Sequence, residues 1–299
     1  RKDGIIITKM HRLDDDTYIE GMALLFKAIK DQDSVPCVQL FHAGRKSLSA
    51  FTGVQPIAPS PIPHPNYKDI PRELSVDEIH ELVSCFGQAA RRAKKAGAQM
   101  IEMHGAHGYL ICQFLSPFSN KRRDVYGGST ENRTRFLCEI LLAVRSNVGK
   151  KYPICCRISA DEYIESGLTV EESTYIAQIL ADSGANIISV SAGIDSDVWA
   201  PGKDDGRRCY AHLSRKIKEA VKVPVISVGN ILDINDAEIV LQYGDADMAA
   251  MGRELIADPY LVKKTVQGQT AQIDGCIQCR NCLVSLVESH MTCTVNSNL

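Results

Sequence analysis

YPICCRISADEYIESGLTVEESTYIAQILADSGANIISV, residues 152–190, holds one complete repeat of the fold. Tyr152–Ile158 and Asn186–Val190 are short apolar runs with no polar alternation. Between them, Thr169-Val-Glu-Glu172 has the spacing of a capping box and heads a helix that stops at Gly184. Strand, helix and strand at this spacing make a βαβ unit. Strands that are apolar on both faces belong in a parallel sheet covered by helices.

The same alternation runs outward in both directions. Strands are expected at Gly4–Thr8, Val35–Leu40, Gln99–Met103, Pro224–Val228 and Asp247–Met251. Helices are expected at Asp16–Lys30 (with Asp16 as N-cap), from the Ser75-Val-Asp-Glu78 capping box to about Lys95, at 109–115, Thr130–Val148, Ala211–Val221 and Ile234–Tyr243. A Pro-rich loop (Pro56, Pro59, Pro61, Pro63, Pro65, Pro71) follows the second strand. Seven expected strands in βα order point to an eight-stranded (β/α)8 barrel of the TIM type, whose usual size is ~250 residues. The missing first strand is expected upstream of Arg1. A doubly wound sheet would carry a Gly-rich turn after its first strand. Thr8-Lys-Met-His11 contains no glycine.

The chain has 299 residues, 34 Lys and Arg against 36 Asp and Glu, and a net charge of 34 − 36 = −2. That balance argues against a nucleic-acid or anionic-membrane partner. No apolar run reaches the ~18 residues of a bilayer span, and no secretory leader opens the chain. Eleven cysteines is an odd number in a long chain, unlike a small disulfide scaffold. Cys37, Cys85, Cys112, Cys138, Cys155, Cys156 and Cys209 lie scattered in apolar stretches and read as buried free thiols in a reducing cytoplasm.

In a barrel, functional residues follow the strand C-termini. Here those positions hold Gln39, His42 and Arg45; His104 and His107; Arg157; Gly229 and Asn230; and Gly252 and Arg253. The last two strands end in Val-Gly-Asn (228–230) and Met-Gly-Arg (251–253). Glycine backbone and a planar guanidinium suit a phosphate, the usual ligand of the final barrel loops. Two tight structural turns are the alternative reading. His104 and His107 on one turn can both donate to one carbonyl or nitro oxygen, with Tyr109 as a nearby weak acid. Core histidines or a metal pair are the alternatives.

The run from His104 to Phe136 (HGAHGYLICQFLSPFSNKRRDVYGGSTENRTRF), with QLFHAGR (39–45) before it, resembles the Old Yellow Enzyme family of flavin-dependent ene-reductases. The likeness continues through the Pro-rich loop, the strand ending in Arg157 and both glycine turns, in the family's order. It implies a barrel binding FMN. Gln39 would then meet the flavin pyrimidine edge, Arg157 the N1/C2 carbonyl side, and Gly229, Asn230, Gly252 and Arg253 the phosphate. His104 and His107 would hold the substrate carbonyl, and Tyr109 would protonate the α-carbon. The partners implied are a small unsaturated carbonyl compound and NAD(P)H. The sequence does not define oligomeric state, a homo-oligomer included.

Cys276, Cys279, Cys282 and Cys293 crowd into the last 24 residues, three of them at x2-x2 spacing. Four thiolates suit zinc or an iron–sulfur cluster, and this spacing favours a [4Fe–4S] cluster. The block resembles that of the family's multidomain branch, which includes 2-enoate reductases, 2,4-dienoyl-CoA reductases and trimethylamine dehydrogenase. The expectation is an FMN-binding barrel at 1–270 and an iron–sulfur segment at 271–299. FAD and NAD(P)H would bind outside this chain and supply electrons through the cluster. An amine dehydrogenase, or a non-catalytic phosphate-binding barrel with structural zinc, are the competing readings.

Overall fold

The computed structural model describes residues 2–6, 10–194, 206–288 and 290–299. Six strands form one parallel sheet: β1 (Cys37–Leu40), β2 (Met100–Gly105), β3 (Ile154–Ser159), β4 (Ile187–Ser191), β5 (Val225–Ser227) and β6 (Met248–Ala249). Their spatial order is their sequence order. A doubly wound sheet reverses order at a switch point. Sequential order without reversal is how barrel staves follow one another, so the parallel β/α, barrel-like expectation stands. The expected strand at Gly4–Thr8 does not form over its described part, since Gly4 closes a 3-10 turn (Lys2–Gly4) and Ile5 and Ile6 are irregular. Ile7 and Thr8 lie outside the described residues.

Register places the chemistry in one layer. His104 in β2 is level with Arg157 in β3, and Arg157 with Ser189 in β4. One layer deeper, Gln39 is level with Glu102 and Glu102 with Cys155. Helices α1 (Ile19–Lys30), α2 (Val76–Ala96), α3 (Leu110–Leu115), α4 (Thr130–Val148), α5 (Val170–Asp182), α6 (Ala211–Ala220) and α7 (Ile234–Gln242) connect and cover the strands. The core between sheet and helices includes Ile79, Leu82, Ile101, Met103, Phe136, Ile140, Ile154, Ile176 and Ile188, all 1% exposed or less. Cys112, Cys155, Cys156 and Cys209 are buried thiols, whereas Cys37 and Cys85 are exposed.

Local chemistry sets the helix ends. Ser75 and Glu78 close a reciprocal capping box on α2, and Gly97 ends it at φ +100°. Arg72 clamps the Glu78 carboxylate with two hydrogen bonds (2.8 and 2.7 Å). Arg72 and the Ser75 N–H hold that carboxyl at about 2. Its contribution is therefore present above the unfolded carboxyl range and is lost as the pH falls towards about 2. Ser75→Ala should lower unfolding free energy by about 1 kcal/mol, read from the midpoint of urea unfolding at neutral pH; an unchanged midpoint would show that the Arg72 clamp alone holds the cap. At α5 the box is only half built. Thr169 accepts from the Glu172 N–H, but the Glu172 carboxylate turns to Arg133 instead. A buried guanidinium is a stronger partner for it than an N-cap amide. Asp15, not Asp16, caps the 3-10 turn that opens α1.

Candidate active site

His104 is the last but one residue of β2 and is buried. The chain then turns through His107 (φ +57°) and Gly108 (φ +67°), and Tyr109 caps α3. This turn stacks the three side chains on one another. The His104 ring centroid is 5.1 Å from that of His107 and 4.8 Å from that of Tyr109, both edge-on. Phe41 packs on Tyr109 at 5.3 Å from the other side.

The turn is clamped from several elements. The His107 N–H donates to Ser159 Oγ at the end of β3 (3.0 Å), and its Nε2 lies 2.7 Å from Ser191 Oγ at the end of β4. Gln113, fully buried in α3, donates to Gly108 O (2.7 Å) and Ala43 O (3.3 Å), and accepts from Arg45 N–H (3.2 Å). Lys46 is buried, donates to His107 O (3.3 Å), and holds its ammonium 4.7 Å above the Tyr109 ring. Lys46, Ser159 and Ser191 escape sequence reasoning because each needs tertiary contact to acquire a role. Position after the HAGR strand end was the available signal for Lys46.

Burial, together with the charges of His107, Arg157 and Lys46, holds the His104 imidazole well below the ordinary histidine range. His104 therefore stays neutral in the folded protein. As the pH falls through the unfolded value of ~6.5, the unfolded chain gains a proton that the folded one refuses, so this site loses stability on the acid side. Nδ1 of His104 accepts from the Ala106 N–H (3.3 Å). The proton of the neutral ring is then on Nε2, which makes that nitrogen a donor.

A cavity of about 340 Å³ opens beside this cluster. His107, Arg157, Gly229, Asn230, Gly252 and Arg253 all line it. Arg157 Nε is buried with no hydrogen-bond partner, a donor awaiting an acceptor. A Cβ at Gly252 would meet nothing within 4 Å, so space lies against that backbone. At Gly229 the reason for glycine is different: φ is +109°, and a Cβ would sit 2.4 Å from the Tyr210 ring. Arg253 donates to Asn230 Oδ1 (2.8 Å), tying the two glycine loops together. The Gly252 N–H donates to the Glu254 carboxylate (3.1 Å), so an incoming anion must displace that contact.

Gln39 is not part of this cavity. It donates to Glu102 (2.6 Å) and lines a separate cavity of about 310 Å³. His42 packs against Asp3 (3.4 Å), and Arg45 lies over Phe118 with Nη1 towards Pro63 O and its Nε buried without a hydrogen-bond partner.

The C-terminal cysteines do not form a ligand set. Among the described residues, no group of three or more His, Cys, Asp or Glu side chains could hold a metal ion. Cys282 is buried on the helix Asn281–Glu288, while Cys279 is exposed and meets Thr294 Oγ1 at 3.3 Å. Cys276 accepts from the Gln278 N–H (3.4 Å), and Cys293 is half-buried. Only Cys282 of the four lies on that helix, and linear spacing does not reveal the different surroundings of the others. This corrects the [4Fe–4S] cluster, the iron–sulfur segment at 271–299, the metal-binding assignment, structural zinc, the iron–sulfur branch of the family, and the electron route through a cluster. No helix among the described residues is long and apolar enough to cross a membrane.

Comparison with known proteins agrees with the rest of this geometry. The chain is 44% identical over 293 residues to the NADH oxidase of Thermoanaerobacter brockii, covering 95% of this chain and 45% of that protein. It is 44% identical over 261 residues to the NADPH dehydrogenase of Clostridium acetobutylicum, covering 87% of this chain and 75% of that one. A solved 2-naphthoyl-CoA reductase in complex with 2-naphthoyl-CoA superposes with a TM-score of 0.92 at 30% identity, over 99% of this chain and 47% of that chain. The chain thus spans less than half the length of the first and last of these. Residues 1–272 match the NADH:flavin oxidoreductase / NADH oxidase family, and the chain belongs to that family.

Proposed function

We propose that this chain binds FMN across the strand ends and, with NAD(P)H as reductant, reduces the activated C=C bond of an unsaturated carbonyl compound. The observation that carries the reading is the adjacency of two parts. One is an arginine- and glycine-lined cavity with an unsatisfied Arg157 donor. The other is a His104–His107–Tyr109 stack that shares His107 with it. On this reading residues 1–270 are the flavin-binding unit, and the free thiols fit a cytoplasmic setting.

Bound FMN supplies a hydride donor. The protein does the rest. Arg253 and the backbone at Gly229, Asn230 and Gly252 would hold the phosphate. Arg157 would lie at the flavin edge that gains negative charge, where a fixed cation favours the reduced form. Gln39, on the neighbouring cavity, would offer its carbonyl oxygen as an acceptor for the pyrimidine N–H. The His104 Nε2–H and His107 fix the substrate carbonyl oxygen, where negative charge grows as hydride reaches the β-carbon. Tyr109 Oη then delivers a proton to the α-carbon. The histidine pair favours this reading over amine oxidation, because ring N–H donors suit a carbonyl oxygen and not a cationic amine.

The test is an anaerobic titration. NADH or NADPH should bleach the FMN-loaded protein, and a panel of enones and enoates should restore its colour. If no member of the panel reoxidises the flavin, the ene-reductase reading is wrong. Arg253→Ala should remove a charge-assisted contact worth about 1.5–3 kcal/mol, weakening FMN roughly 10–100-fold. Fluorescence titration reads this directly, and unchanged affinity would remove Arg253 from the phosphate site.

A further inference from the structure

The cavity that gathers Arg157 and Arg253 has a third guanidinium. Arg280 lines it, together with Leu283 of the helix Asn281–Glu288. Both come from the C-terminal segment, far in sequence from the glycine loops. The segment is docked there by independent contacts. Asp274 N–H donates to Asp258 Oδ2 (3.0 Å), and Asn296 Nδ2 donates to Ile256 O (3.0 Å). Arg280 itself holds φ +61°, a left-handed backbone conformation that is strained for a non-glycine residue. Its carbonyl accepts from the N–H groups of Leu283 (3.0 Å) and Val284 (3.3 Å), which fixes it at the head of that helix. Among the described residues, three guanidiniums therefore border this cavity, against the single carboxylate of Glu254. Glu254 Oε1 is buried without a partner, and Oε2 accepts from the Gly252 N–H. An excess of fixed cations around a buried carboxylate suits a doubly charged anion better than it suits the carboxylate alone.

We propose that Arg280 is a further ligand of the cofactor phosphate, and that phosphate binding thereby fastens residues 274–299 onto the flavin-binding unit. The proposal rests on the reading that this cavity takes the FMN phosphate, and it adds a ligand and a coupling to that reading. Capturing the phosphate from two segments means that neither can leave while the other holds. Docking of the C-terminal segment and retention of FMN then share one free energy, and each strengthens the other to the same extent.

The test compares FMN with riboflavin, which has the same ring and no phosphate, on the full chain. Arg280→Gln should raise the Kd for FMN about tenfold, the loss of one charge-assisted contact, and leave riboflavin affinity unchanged. Arg280→Lys should recover part of the loss. In the unaltered chain FMN should slow amide hydrogen exchange over 274–299 and riboflavin should not; in Arg280→Gln the slowing by FMN should be absent. Native FMN affinity in Arg280→Gln while Arg253→Ala is weakened would overturn the role of Arg280 alone. Native affinity in both variants would overturn the phosphate reading beneath it. Equal loss of FMN and riboflavin, or equal protection by both, would reduce Arg280 to a structural residue and end the proposal.

Discussion

Tyr109→Phe should leave reduction of the bound flavin by NAD(P)H unchanged and slow its reoxidation by an enone roughly 10²–10⁴-fold, the usual worth of a positioned general acid. The substitution removes one oxygen and keeps the ring. The ring is what Phe41 and Lys46 pack against, at 5.3 Å and 4.7 Å from its centroid, and it is what meets His104 at 4.8 Å. Packing and substrate anchoring should therefore survive, and the effect should fall on proton delivery alone. Stopped-flow traces separate the two half-reactions. The solvent isotope effect on the oxidative half should also change, because the proton then comes from water. Wild-type reoxidation in the variant would mean that water or another group is the donor in the native protein as well. His104 and His107 would still be carbonyl anchors, and Tyr109 would be a packing residue.

The parts of this fold that were legible in the sequence are those decided by nearest neighbours along the chain. The apolar runs around 154–158 and 187–190 became β3 and β4 because nothing but a parallel sheet buries both of their faces. Thr130–Val148 formed with the expected ends because Ser129 caps it and Gly149 follows it. Where a distant residue competes, local reasoning loses. Glu172 was expected to close a capping box and is drawn off by Arg133, some 39 residues away. The site divides in the same way. His104, His107 and Tyr109 lie within six residues, so one turn brings them together, and the cavity-lining glycine loops follow from strand order. Lys46, Ser159, Ser191 and Arg280 reach the site only through tertiary contact, and a single sequence does not record that contact. The cysteine block shows the converse error. Four thiols close along the chain imply a shared ligand only if the backbone between them lets them converge, and among the described residues no such metal-holding group forms.

On the proposed function, Gly108→Ala should lower kcat/KM about 100-fold, the order expected when reacting groups shift by ~1 Å. Gly108 sits between His107 and Tyr109 at φ +67°. A Cβ there would lie 2.5 Å from the Ile194 carbonyl oxygen, with two more Ile194 backbone atoms within 3.7 Å. Backbone cannot swing aside as a flexible side chain can, so one of the two segments must move. The 193–194 side is pinned, since Ser159 Oγ donates to Gly193 O (2.7 Å) and also receives the His107 N–H. The turn is pinned from the other side, where Gln113 holds Gly108 O. Relief of the clash must therefore displace His107 and Tyr109 relative to β3 and β4, which separates the proposed carbonyl anchor from the proposed proton donor. The strained backbone alone is a smaller matter, of order 1 kcal/mol. Gly128→Ala isolates it, because Gly128 also has positive φ (+82°) but nothing within 4 Å of a new Cβ. That control should lose a little stability and no activity. FMN affinity should hold in both variants, because the residues proposed for the phosphate lie on other loops. A Gly108→Ala protein with native kcat/KM would show that the 193–194 segment yields, and that the turn carrying His107 and Tyr109 is not the rigid frame on which the proposed chemistry depends.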